Sequence, residues 1–166
     1  MNYDLSQFKE LEVSFGFTGI VLFSPGDIEA AQTGYSINPN GESLVGSAEG
    51  DWKSTWLVIG ITEDLGDPIF VDISTDEKSV YTAPNGQGSW NPVLLSNTYE
   101  NFIIVLGQFS EIAKNRDCPV ELENNPMTQN EFDDFIEFVE KTAMISDTYF
   151  WGLLISDEDA GIEPEI

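Results

Sequence analysis

Trp56–Ile61 (Trp-Leu-Val-Ile-Gly-Ile), Pro68–Ile73 (Pro-Ile-Phe-Val-Asp-Ile) and Ser79–Thr82 (Ser-Val-Tyr-Thr) decide the fold of this chain. The first is almost wholly apolar and rich in β-branched residues, as befits a strand buried on both faces. In the second, Pro68 is compatible with a strand because it begins it. Glu63-Asp64-Leu65-Gly66-Asp67 and Asp76-Glu77-Lys78 supply turn chemistry between them. Connections this short join antiparallel neighbours, since a parallel crossover needs a dozen residues or more. An antiparallel meander is therefore predicted.

Towards the C-terminus the period changes. In 98–114, Phe102, Val105, Leu106, Phe109, Ile112 and Ala113 recur at helical spacing, with Asn97 as the expected N-cap. Residues 115–127 read as a linker. Thr128-Gln129-Asn130-Glu131 matches a capping box and predicts a helix over 129–143 that buries Phe132, Phe135, Ile136 and Val139. The aromatic Tyr149–Ile155 is expected to dock as a last short helix. Towards the N-terminus the pattern is weaker. Tyr3, Leu5, Phe8 and Leu11 suggest an amphipathic helix over 3–13, ended by Gly16 and Gly19. A short helix is expected at 27–33, capped by Ser24 or Asp27, and 34–53 reads as loops with one edge strand near Tyr35–Ile37. The predicted class is α+β, an antiparallel sheet of about 4–6 strands covered by helices. It forms one domain over 1–155, followed by an acidic flexible tail at 156–166 with five acids and no base.

Composition narrows the function. Among 166 residues there are 30 acidic and 6 basic side chains, giving a net charge of −24. So few cations cannot neutralise a run of phosphates, which argues against direct nucleic-acid or anionic-membrane binding. With no histidine, His-based nucleophilic catalysis and His-ligated metal sites are excluded. The single Cys118 forms no internal disulfide. No apolar run approaches the ~20 residues of a membrane span, and Met1-Asn2-Tyr3-Asp4 carries an acid where a signal peptide carries Lys or Arg. A cytoplasmic protein without a cofactor is expected.

Trp-Leu-Val-Ile-Gly-Ile, then Leu-Gly-Asp-Pro-Ile-Phe-Val-Asp, then Val-Tyr-Thr-Ala-Pro-Asn-Gly-Gln-Gly-Ser-Trp, between Trp56 and Trp90, resembles the SUKH superfamily. This is the Smi/Knr cell-wall-regulator group with its bacterial toxin-immunity relatives. The resemblance runs over residues 24–155, rests on Trp56, Gly60, Gly66, Asp67, Asp72 and Trp90, and is loose over 1–50. It implies a Smi/Knr-like fold and a non-enzymatic binding module. Bacterial members resemble immunity proteins that block a toxin domain, often a nuclease, whereas the fungal group is linked to regulation of cell-wall synthesis and signalling.

Each candidate chemical group has a plainer structural reading. Asp67 and Asp72 form the strongest carboxylate pair, yet both sit where turns recruit an acceptor for backbone N–H groups. Asp72-x-Ser74-x-Asp76 starts like a calcium loop but lacks its glycine and closing glutamate. Asn85-Gly86-Gln87-Gly88 lacks the lysine of a phosphate loop. Trp56 and Trp151 read as core, and Trp52, between Asp51 and Lys53, as exposed. On the 129–143 helix, Asp133, Glu137 and Glu140 recur at i, i+4 and i+7 with Asp134 beside them. Like charges at this spacing repel, so helix stability does not explain them. They are either an ordinary solvated face or a surface shaped for a basic protein partner. Glu63, Asp64, Asp133, Glu137 and Glu140 are the candidate partner contacts.

Overall fold

A computed structural model describes residues 3–156. Six strands form one sheet: β1 (Leu11–Phe15), β2 (Thr18–Leu22), β3 (Trp56–Thr62), β4 (Pro68–Asp72), β5 (Val80–Thr82) and β6 (Val93–Ser96). Their spatial order is their chain order and every pairing is antiparallel, so the meander extends through the whole sheet. Five helices accompany it: α1 (Pro25–Ala31), α2 (Tyr99–Ala113), α3 (Pro119–Asn124), α4 (Gln129–Ala143) and α5 (Tyr149–Leu154). α2 packs against both edge strands, β1 and β6, so the sheet curls around it. The α+β class read from the sequence is the observed one. Among the described residues no helix is long and apolar enough to cross a membrane.

The central strands alternate strictly. Leu57, Ile59, Ile69 and Val71 enter the core beneath the helices, while Val58 and Phe70 enter a second core on the opposite face. Period-two alternation with both faces covered is what makes these runs look uniformly apolar. Gly60 follows a bulge at Val58–Gly60. A Cβ there would lie 2.3 Å from the Val21 carbonyl oxygen, so β2 can approach β3 only where the side chain is hydrogen.

The N-terminal helix expected over 3–13 is not present. Leu5–Gln7 makes one 3₁₀ turn capped by Asp4, and the chain then extends into β1. Leu5 and Phe8 suit the short turn, but Val13 and Phe15 already alternate as a strand does. Gly16 and Gly19 do not end a helix. Gly16 (φ +57) is the first residue of a two-residue hairpin joining β1 to β2, the position a type II′ turn favours for glycine. Gly19 lies inside β2.

Other boundaries shift less. α1 begins at Pro25 after Ser24 at the N-cap, two residues before the expected start. Thr98, not Asn97, caps α2, its hydroxyl accepting from the Asn101 N–H at 3.0 Å. No regular strand forms at Tyr35–Ile37, only isolated bridges such as Thr33 to Ile37. β6 lies in a stretch with no predicted element, and α3 lies in the expected linker. The capping box of α4 is present in both directions. Phe135 and Val139 are buried as expected, while Phe132 and Ile136 are half-buried at the core margin. Apart from Ser156, the expected tail at 156–166 lies outside the described residues.

Candidate partner-binding surface

The sequence motifs resolve first into structural roles. Asp67 does not serve its own turn as expected. Its Oδ1 accepts from the backbone N–H of Asn85 at 2.9 Å, and the Asn85 side chain donates to the Gly66 carbonyl at 2.7 Å. Gly66 and Asp67 therefore clamp the β5–β6 connection to the β3–β4 turn. Gly66 holds φ +66 there, which glycine adopts without strain. The Tyr35 phenol reaches the same clamp, and burial, with the nearby Asp67 charge, pushes its pKa up while a hydrogen bond with Asn85 opposes this. Asp72 behaves as expected, accepting from the Ser74 N–H at 2.9 Å.

Asp67 and Asp72 lie at opposite ends of β4. Five residues of extended chain separate their Cα atoms by about 16 Å, so they do not form a paired-carboxylate site. Among the described residues no group of three or more His, Cys, Asp or Glu is arranged to hold a metal ion. The Asn85–Gly88 segment is an exposed loop, with Gly86 and Gly88 at positive φ, and it leads into β6 rather than a helix.

Trp52 corrects the sequence reading most sharply. It is 1% exposed and sits at the centre of the second core. Its ring lies 4.7–5.3 Å, centroid to centroid, from Phe70, Tyr35, Trp56 and Trp90. The indole N–H donates to the Trp56 carbonyl at 3.3 Å. Trp56 and Trp90 are half-buried on its flanks, and the Trp90 N–H donates to the Gly50 carbonyl, joining the two loops that cover this face. Trp151 is fully buried on the helical side as expected, donating to the Leu95 carbonyl at 3.1 Å.

Two further anchors were not among the residues singled out from the sequence. The buried Gln32 side chain bonds both backbone groups of Val58, accepting at 3.0 Å and donating at 2.8 Å, and so stands in for a strand beside β3. Arg116 is 6% exposed and ties the carbonyls of Ile112 and Asn125 to the Glu131 carboxylate. A lone base within the expected linker, followed by an acidic capping residue, was the only clue.

The candidate partner contacts fall into two groups. Glu63 is exposed and accepts from the Ser14 hydroxyl of β1 at 2.9 Å, and Asp64 is exposed beside it in the same turn. Asp133, Asp134, Glu137 and Glu140 are all exposed on α4, opposite the Phe135, Val139 and Ala143 face that packs towards α2. No hydrogen bond or ion pair joins the two groups among the described residues. Glu137 pairs with Lys141 at 2.6 Å, and this hydrogen bond holds its carboxyl below the ordinary range. Asp133 accepts from Gln129 at 2.8 Å. Among the described residues no cation pairs with Asp133, Asp134 or Glu140.

No family model, curated protein or solved structure matches the chain. The surface is therefore defined by its own chemistry. α4 presents a rigid line of carboxylates on a helix anchored by a capping box and by Arg116. Such a line can attract and orient a cationic surface, and it repels an anionic one.

Proposed function

We propose that this protein is a non-enzymatic, SUKH-type binding module, acting in the cytoplasm as an immunity protein that neutralises a basic toxin domain by stoichiometric occlusion. One observation carries the proposal: Asp133, Asp134, Glu137 and Glu140 stand exposed on one well-anchored helix, with Lys141 the only base on that helix. The sequence resemblance at Trp56–Trp90 supports the same reading. In it, the acidic face occupies the cationic groove with which a nuclease toxin grips its substrate. A net charge of −24 accelerates the encounter with a basic partner, and clustered carboxylates act within the ~8 Å over which charge is felt at physiological salt.

The test is capture of partners from native lysate through a salt gradient, followed by kinetics with the purified partner. A basic polypeptide at one-to-one stoichiometry, released as salt rises, is expected. Reversal of Asp133, Glu137 and Glu140 to Lys should slow its association about tenfold or more at low salt and flatten the salt dependence. An unchanged association rate would reject this surface. A cell-wall enzyme or signalling protein retained at high salt would replace immunity with the regulatory scaffold role of the fungal relatives.

A further inference from the structure

The acidic line on α4 ends beside an open sheet edge. Asp133, Glu137 and Glu140 are followed at the next position along the same line by Met144, the C-cap of α4. Met144 is 69% exposed and is held at φ +54, a conformation uncommon for a residue with a side chain. The Asn97 N–H donates to the Ala143 carbonyl at 2.9 Å, which docks this end of α4 against the end of β6. Between them lies a groove of about 400 Å³ lined by Val93, Leu94, Met144, Ile145 and Asp147, among others.

β6 is a terminal strand of the sheet, paired only with β5. Its far end is already covered, since Trp151 donates to the Leu95 carbonyl. Among the described residues no such bond covers its near end. In an antiparallel ladder successive residues turn their N–H and C=O groups alternately towards and away from the partner strand. Of Val93 and Leu94, both paired with β5, one therefore directs its backbone groups away from β5, on the groove side. Unpaired strand groups beside exposed apolar side chains are a template for an added strand.

We infer that this edge accepts a short extended segment of the partner that carries basic side chains around an apolar one. The inference rests on the acidic α4 surface being the partner interface, and it locates the apolar centre of that interface. Charge selects the occupant. Asp147 lines the groove, Glu140 stands one turn away on α4, and Lys141, the one base on α4, is held by Glu137. A second copy would bring another −24 charges to the same edge. The chain's own residues 157–166 hold five acids and no base, so they carry the same sign as the groove. Pro92, which has no N–H, precedes β6 and limits the addition to a few residues.

A capped octapeptide of alternating lysine and valine is the probe, with a glutamate–valine peptide of equal length beside it, both titrated into the full chain. The lysine–valine peptide should bind and slow amide exchange at residues 93–95, and the glutamate–valine peptide should do neither. Leu94→Lys and Met144→Lys each weaken binding at least tenfold. If a lysine variant fails to fold, Met144→Gly removes the same side chain while relaxing the positive φ. No binding at about 1 mM peptide, protection elsewhere on the sheet, or unchanged affinity in these variants overturns the inference. So does a dimer in sedimentation that Leu94→Lys abolishes, which would make the occupant a second copy. Asp133→Asn with Asp134→Asn, which leaves Glu140 in place beside the groove, separates the two readings. If this pair abolishes capture of the natural partner while the groove variants leave it intact, the acidic surface stands and strand addition falls. If this pair leaves capture intact, the acidic surface falls and the inference that rests on it falls with it.

Discussion

The two faces of the sheet are closed in different ways. On one, α2, α4 and α5 cover a core that runs from Phe15 and Ile20 through Leu57 and Ile69 to Phe109, Phe135 and Trp151. On the other, Trp52, Val58, Phe70 and Ala83 are covered by irregular chain, and half-buried Tyr35, Trp56, Tyr81 and Trp90 do the packing that helices do opposite. A helix buries its stripe at a fixed period, so many medium-sized residues suffice. A loop has no period, and it closes a sheet face by placing a few large aromatic rings, each burying about 150–250 Å². The second face is therefore concentrated in few residues, with one tryptophan touching four other rings.

That concentration is open to test. Trp52→Ala should cost about 3–5 kcal/mol, as large as an aromatic truncation in the helical core such as Phe102→Ala. Urea unfolding checks both, and the two faces can be followed separately. Trp52, Trp56 and Trp90, three of the four tryptophans, report the loop side by fluorescence, while far-UV circular dichroism reports the helices. Coincident transitions are expected in the native chain. If Trp52→Ala leaves stability unchanged, the loop face is a dispensable cover and the likeness between the two cores fails.

Gln32→Leu comes next, at about 2–3 kcal/mol by thermal melting, because it leaves the N–H and C=O of Val58 without their partner in a buried place. A much smaller loss would mean that β3 finds another partner there. The smallest effect belongs to the helical face. Glu131 is held below the ordinary glutamate range first by the Thr128 backbone N–H and further by Arg116, with partial burial opposing. Its folded value is thus the depressed one, so its contribution is complete above the unfolded value and is lost as pH falls through the folded value. With its side chain 41% exposed, that contribution stays under about 1 kcal/mol. Melting temperature followed through the acid range should fall less in Glu131→Gln than in the native chain. An identical fall would exclude Glu131 as a source of acid sensitivity.

Residue order alone was enough for the strands from Trp56 to Thr82, for helices α2 and α4 with the Thr128 cap, and for the exposure of the α4 acids. In each, the controlling interactions lie within a few residues, so periodicity and capping chemistry stay legible along the chain. Composition likewise established a polyanion without histidine, and hence the classes of chemistry excluded. Long-range packing decided the rest. Residues 3–13 became a turn and a strand because β2 was available to pair with β1, and β6 formed because β5 offered an edge. Trp52, flanked by charges, went inside because Phe70, Tyr35, Trp56 and Trp90 converge on it from distant parts of the chain. Asp67 found its acceptor role 18 residues away at Asn85, and Arg116 found its partners on α2, just past the end of α3, and on α4. The groove at β6 belongs to the same class, since a sheet edge and a helix end become one surface only after the chain has closed.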